Sequence, residues 1–150
     1  MIAAAVGFDL LLLVHIVVAL ASVVVLATLR ASAGALARGA APDEQRRRFP
    51  QRRDWAARVV HLLPVTGLAL VATGGPSERL THPWVLVGIA CYLALAGHLE
   101  ARTLPQERRL ADAAATSGGA PAADARALAR SVDVIIGLLA IALVAMIAQF

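Results

Sequence analysis

Apolar residues run along this chain in long blocks rather than in one-sided stripes. Between Phe8 and Leu29 the only polar side chains are Asp9, His15, Ser22 and Thr28. Three further blocks follow, over about 56–73, 84–100 and 132–150. A helix rises about 1.5 Å per residue, so blocks of this length match a hydrocarbon core of about 30 Å. The pattern predicts an all-α, polytopic membrane protein: a four-transmembrane-helix bundle forming one domain over the whole chain. The third block is the shortest, and Thr81 or Leu104 is expected to extend it.

The punctuation between blocks is equally plain. Arg30 closes the first, Gly74-Gly75-Pro76 ends the second, and Trp84 opens the third at the headgroup boundary. Pro64 and Gly67 lie inside the second, where neighbouring helices must satisfy the carbonyl that proline frees. The connection 30–55 carries a helix start at Pro42-Asp43-Glu44, then the basic runs Arg46-Arg47-Arg48 and Arg52-Arg53. The connection 101–131 holds Glu107-Arg108-Arg109, a flexible Thr116-Ser117-Gly118-Gly119-Ala120-Pro121 linker and a helical lead-in from Asp124 to Arg130. Small residues at Ala3, Gly7, Gly67, Ala90, Ala94, Gly137, Ala140 and Ala145 offer points where helix backbones can approach closely.

Composition agrees with lipid as the solvent: of 150 residues, 59% are hydrophobic and only 16% charged, with a mean hydropathy of +0.74. The net charge of +4 comes from arginine without any lysine. Those arginines crowd into the two long connections, whereas the connection between the second and third blocks has only Arg79, opposed by Glu78. The positive-inside rule then places both long connections in the cytoplasm and both termini outside, N-out and C-out, in a cytoplasmic (inner) membrane. This accounts for the basicity without nucleic acid, for which no aromatic-basic interleaving is present. Met1 to Phe8 lacks a positive n-region, so the first block reads as a retained helix rather than a cleaved signal. Cys91 is the single cysteine, and it reads as a small packing residue.

Chemistry rests on four histidines, because an imidazole in a span is costly unless it faces the bundle and finds a partner. His15 lies deepest, sharing a face with Ala19 and Ser22; Asp9, at the outer edge of the block, reads as a solvated end residue, with setting the His15 tautomer as its functional alternative. His61 and His98 fall at similar depth near the cytoplasmic ends of adjacent antiparallel spans, the placement a bis-histidine haem or a metal needs. Cys91, Ala94 and His98 share one face expected to point inward, and Arg58, Glu100 and Asp133 occupy the same layer. His15, His61 and His98 are thus the candidate cofactor ligands. The competing reading makes each a neutral imidazole satisfied by its neighbours. His82, beside Pro83 and Trp84, sits at the outer boundary. No HExxH, CxxC, phosphate loop or nucleophile elbow occurs, and two methionines do not make a copper-thioether site.

Leu13-Val14-His15-Ile16, Leu63-Pro64-Val65-Thr66-Gly67-Leu68, His82-Pro83-Trp84-Val85-Leu86-Val87-Gly88-Ile89 and Leu104-Pro105-Gln106-Glu107-Arg108-Arg109-Leu110 together resemble bacterial integral membrane proteins of domain-of-unknown-function family 2269. The resemblance covers nearly the whole chain. That layout is similar to copper-resistance D membrane domains and to protoporphyrinogen-oxidising four-helix membrane proteins, which implies His15 as a haem-side residue. The residues and the resemblance leave three roles open. The first is a structural or partner-binding membrane protein without its own catalysis, engaging a membrane partner or a second copy. The second is a b-type haem or porphyrin protein in electron transfer or oxidation, and the third a small solute or metal-ion transporter.

Overall fold

The computed structural model of the chain describes residues 2–48, 56–73, 81–116 and 121–148. Every regular element among them is helical. Helix α1 spans Ile2–Ala37 and α2 spans Pro42–Arg48. A 3₁₀ segment, Ala56–His61, leads into α3, Leu62–Thr73. Helix α4, Pro83–His98, continues through a π-helical turn, Leu99–Thr103, into α5, Leu104–Ala115, and α6 spans Ala122–Ala148. Three helical stretches are long and apolar enough to cross a membrane: Val6–Ala37, Pro83–Ala115 and Ala122–Ala148. The shorter Ala57–Thr73 is also apolar.

The helices outrun the apolar blocks. Helix α1 does not stop at Arg30 but continues about two turns to Ala37, because its apolar positions Ala33 and Leu36 are still needed in the core. It ends where Gly39 takes a φ of +86°, with Ala40 N–H donating to the Ala35 carbonyl and Gly39 N–H to that of Leu36. That is a Schellman ending, which favours a residue without a Cβ. The expected helix start at Pro42 is found, and Glu44 and Arg48 pair at 2.7 Å one turn apart. Likewise the lead-in from Asp124 is not separate: α6 begins at Ala122, where the Pro121 carbonyl accepts from Asp124 and Ala125 N–H. Much of what reads as two polar connections is therefore helix. The Gly74-Gly75-Pro76 stop, Arg79, Arg52-Arg53 and Ser117 to Ala120 fall outside the described residues.

Two prolines set the irregular turns. Pro105 has no N–H to give the carbonyl of Ala101, and its ring crowds that carbonyl. The chain widens just before it: Leu104 N–H reaches back five residues to the Leu99 carbonyl. Pro64 follows the 3₁₀ segment in the same way. Pro83 sits instead at the start of α4, where the missing donor costs nothing.

Helix α6 packs against both α1 and α4, and α1 packs against α3 and its 3₁₀ lead-in. Helices α4 and α6 run antiparallel, since Gly88 lies beside Met146 and His98 beside Ser131. The backbones of α3 and α4 make little direct contact, and long side chains bridge them. The core gathers at one end of the molecule, where Leu26, Leu36, Val60, Leu99, Leu128 and Ile135 are essentially inaccessible. At the other end large apolar side chains such as Leu10, Leu20, Val65, Leu93, Val144 and Ile147 stand exposed.

Most of the expected small-residue contacts are absent. A Cβ built on Gly7, Gly97 or Gly137 meets nothing within 4 Å, and Ala90, Ala94 and Ala140 are exposed, whereas Ala145 is buried. Cys91 is buried, but Ala94 faces outward, so the face shared by Cys91, Ala94 and His98 does not turn inward as a unit.

Candidate functional site

Each histidine singled out for burial has a hydroxyl partner on another helix. His15, on α1 and only 9% exposed, has Nδ1 2.6 Å from Thr66 Oγ1 on α3. Thr66 also donates its single hydroxyl hydrogen to the Leu62 carbonyl at 2.9 Å, one turn back. Its oxygen must then accept from His15 Nδ1–H, which leaves Nε2 as the lone-pair nitrogen of a neutral ring. Gly67 lies beside this pair, and a Cβ there would stand 3.5 Å from His15 Cε1, an ordinary contact distance.

His61 ends the 3₁₀ segment and reaches across the gap between α3 and α4. Its Nε2 lies 3.3 Å from Glu100 Oε1 and its Nδ1 lies 3.1 Å from the Tyr92 hydroxyl, with the two rings edge-on at 87°. An ionised carboxylate only accepts, so Nε2–H donates to Glu100 and the neutral ring accepts the Tyr92 hydroxyl hydrogen at Nδ1. Arg58, one turn earlier, donates to both Glu100 oxygens at 3.0 and 3.1 Å, the planar fork that guanidinium and carboxylate form well. The result is a polar strap, Arg58–Glu100–His61–Tyr92, tying two helices whose backbones scarcely meet.

His98 faces elsewhere. About 100° of rotation per residue puts it about 120° around α4 from Tyr92, and its Nε2 lies 2.9 Å from Ser131 Oγ on α6. The same Ser131 oxygen lies 2.8 Å from Thr103 Oγ1. In a regular α-helix residues five apart diverge by about 140°, whereas a π turn brings them back toward one face. The proline-driven widening at Leu99–Thr103 thus lets one serine serve both His98 and Thr103.

His61 and His98 accordingly meet different partners, one on each side of α4. Both nitrogens of His61 are engaged within the chain, so iron or metal held between His61 and His98 requires these bonds to open first. Asp133 orients neither imidazole. It accepts from Arg30 Nε at 2.6 Å. His82 stacks on Trp84 at 6.4 Å between ring centroids. Among the described residues, no three of the His, Cys, Asp and Glu side chains gather as metal ligands do.

Thr66, Tyr92, Thr103 and Ser131 carry this chemistry and escaped the sequence reading. The signal for them was depth: a hydroxyl on a neighbouring helix at the level of each histidine. Only Tyr92, the single tyrosine of the chain, stands out by type. No family model, curated protein or solved structure matches this chain.

Proposed function

We propose that the chain is a four-span protein of the cytoplasmic membrane, N-out and C-out, that acts by binding a helical membrane partner or a second copy of itself. The second span is short only in residue count. Twelve α-helical residues at about 1.5 Å and six 3₁₀ residues at about 2.0 Å together reach roughly 30 Å, the thickness of a hydrocarbon core. Exposed large apolar residues at the end away from the arginines suit contact with acyl chains.

The observation that carries partner binding is the ridge Ala90, Ala94 and Gly97 on α4, continued by Ala101 in the π-helical turn. These four positions share one helix face and all are exposed. In lipid the hydrophobic effect does not drive helices together, and close backbone approach over small residues does. Gly97→Leu projects into open space and leaves the fold intact while blocking such an approach. The test is in-membrane cross-linking and particle mass in nanodiscs. A partner or dimer found in the wild type and lost in Gly97→Leu supports the reading, and a lone, uncross-linked chain in both sinks it.

The tautomer of His15 favours a second reading, a b-type haem or porphyrin protein. Thr66 holds Nδ1–H and leaves the Nε2 lone pair, which is how second-shell partners prepare an imidazole for iron. Haem would supply one-electron chemistry, and His15 is the residue that fits as its ligand. An oxidised and dithionite-reduced absorption spectrum separates the readings. A Soret band lost in His15→Ala makes haem primary, and a featureless visible spectrum from haem-replete cells removes it.

A further inference from the structure

Arg30, Gly34 and Arg38 follow one another at four-residue spacing along α1, on the stretch that continues past the apolar block. Their geometry is unusual for two like charges. Nη1 of Arg30 and Nη1 of Arg38 each lie 3.3 Å from where a Cβ on Gly34 would stand, so both guanidiniums fold over the same bare patch of helix. Two atoms so placed are no more than about 7 Å apart, where like charges repel unless an anion lies between them. Arg30 is partly compensated, because its Nε donates to Asp133. The Arg38 guanidinium has no hydrogen-bond or ion-pair partner among the described residues.

We infer that Arg30 and Arg38 form a cradle over Gly34 for the phosphate of an anionic phospholipid. Guanidinium nitrogens bond phosphate oxygens at about 2.7–2.9 Å, and one phosphate spans the gap between these two. Gly34 leaves the floor of the cradle clear, since any larger residue would stand within 3.3 Å of both guanidiniums. Depth selects a lipid over a free anion. Gly34 lies about 6 Å beyond Arg30 along the axis, and the headgroup layer outside the hydrocarbon core is about 5–7 Å thick. The site rests on the chain crossing the bilayer, which sodium-carbonate extraction of the membranes reports separately.

The test is lipid retention by the full chain, purified in neutral detergent and titrated with phosphatidylglycerol or phosphatidylcholine, read by native mass spectrometry. The wild type should retain phosphatidylglycerol preferentially, and Arg38→Gln should weaken that retention about tenfold, the loss of one charge-assisted hydrogen bond. Arg109→Gln, an exposed arginine on α5, should leave it unchanged. Gly34→Leu should weaken retention as Arg38→Gln does; should that variant fail to fold, Arg38→Gln decides alone. Equal retention by wild type and Arg38→Gln overturns the site. An equal loss in Arg109→Gln reduces it to general charge attraction, and full displacement by millimolar inorganic phosphate makes it a free-phosphate site instead. Failure of the chain to remain in carbonate-washed membranes would strike the membrane reading and the lipid site that rests on it, whereas a carbonate-resistant chain without preferential retention strikes the cradle alone.

Discussion

Arg30 and Asp133 stand 103 positions apart in the chain, yet Arg30 Nε–H donates to Asp133 Oδ1 at 2.6 Å. The pair joins the end of the apolar run in α1 to the beginning of the apolar run in α6. It therefore fixes the relative depth of two helices whose faces are otherwise smooth with Leu, Val and Ala. Both side chains are about half exposed, 41% and 50%, so their surroundings screen the attraction.

Breaking that pair should cost little stability but lose register. Arg30→Asp or Asp133→Arg alone should lower the thermal midpoint in detergent by an amount equivalent to about 1 kcal/mol or less. The exchanged double variant, Arg30→Asp with Asp133→Arg, should recover most of it. No recovery in the double variant would mean that the pair does not set the alignment.

Ser131 is more consequential. Its hydroxyl is the partner of both His98 Nε2 and Thr103 Oγ1, and Thr103 is fully buried while Ser131 is only 7% exposed. Ser131→Ala removes one oxygen and leaves two polar groups without their partner. The expected cost is about 1–3 kcal/mol, larger than for the exposed ion pair because a buried group pays its whole desolvation penalty. Chemical or thermal unfolding in a fixed detergent checks this, and a change within error of the Arg30 variants would contradict it.

The π turn makes a further, coupled prediction. Pro105→Ala restores a donor for the Ala101 carbonyl and lifts the ring clash, so the turn is freed to tighten toward an α-helix. Tightening rotates Thr103 away from His98 and breaks the shared bond to Ser131. Pro105→Ala should therefore destabilise the wild type more than it destabilises Ser131→Ala. A double-mutant cycle should give a coupling of about 0.5–3 kcal/mol, and additive effects would separate the proline from the hydrogen bonds.

How much of this was legible in the residues follows from what each force depends on. Burial of apolar blocks scales with composition, so the helices over 8–29, 56–73, 84–100 and 132–150 could be anticipated. Their ends could not, because Arg30 and Glu100 are polar yet sit inside continuous helices, each holding a charged partner. The histidines stood out because a buried imidazole needs a partner, but that partner's identity depends on which helices neighbour each other. His61 and His98 matched in depth, and the difference lay in rotation: Pro64 and Pro105 distort the backbone just beside them. Proline announces such a distortion, but not whether the turn becomes 3₁₀ or π.

Orientation is the expectation with the widest consequence, because the lipid cradle, the apolar core and the His61 strap all share one end. On the proposed orientation that end lies in the cytoplasm, with α5 and the start of α6 expected beyond the bilayer. In a Cys91→Ala background, Ala123→Cys presents a thiol at an exposed position on the first turn of α6, and His82→Cys presents one at the exposed start of α4. Intact cells treated with a membrane-impermeant maleimide should label His82→Cys and spare Ala123→Cys until the membrane is permeabilised. Ready labelling of Ala123→Cys in intact cells would invert the topology. The cradle would then face the outer leaflet, and the same arginines would be expected to meet a different set of headgroups.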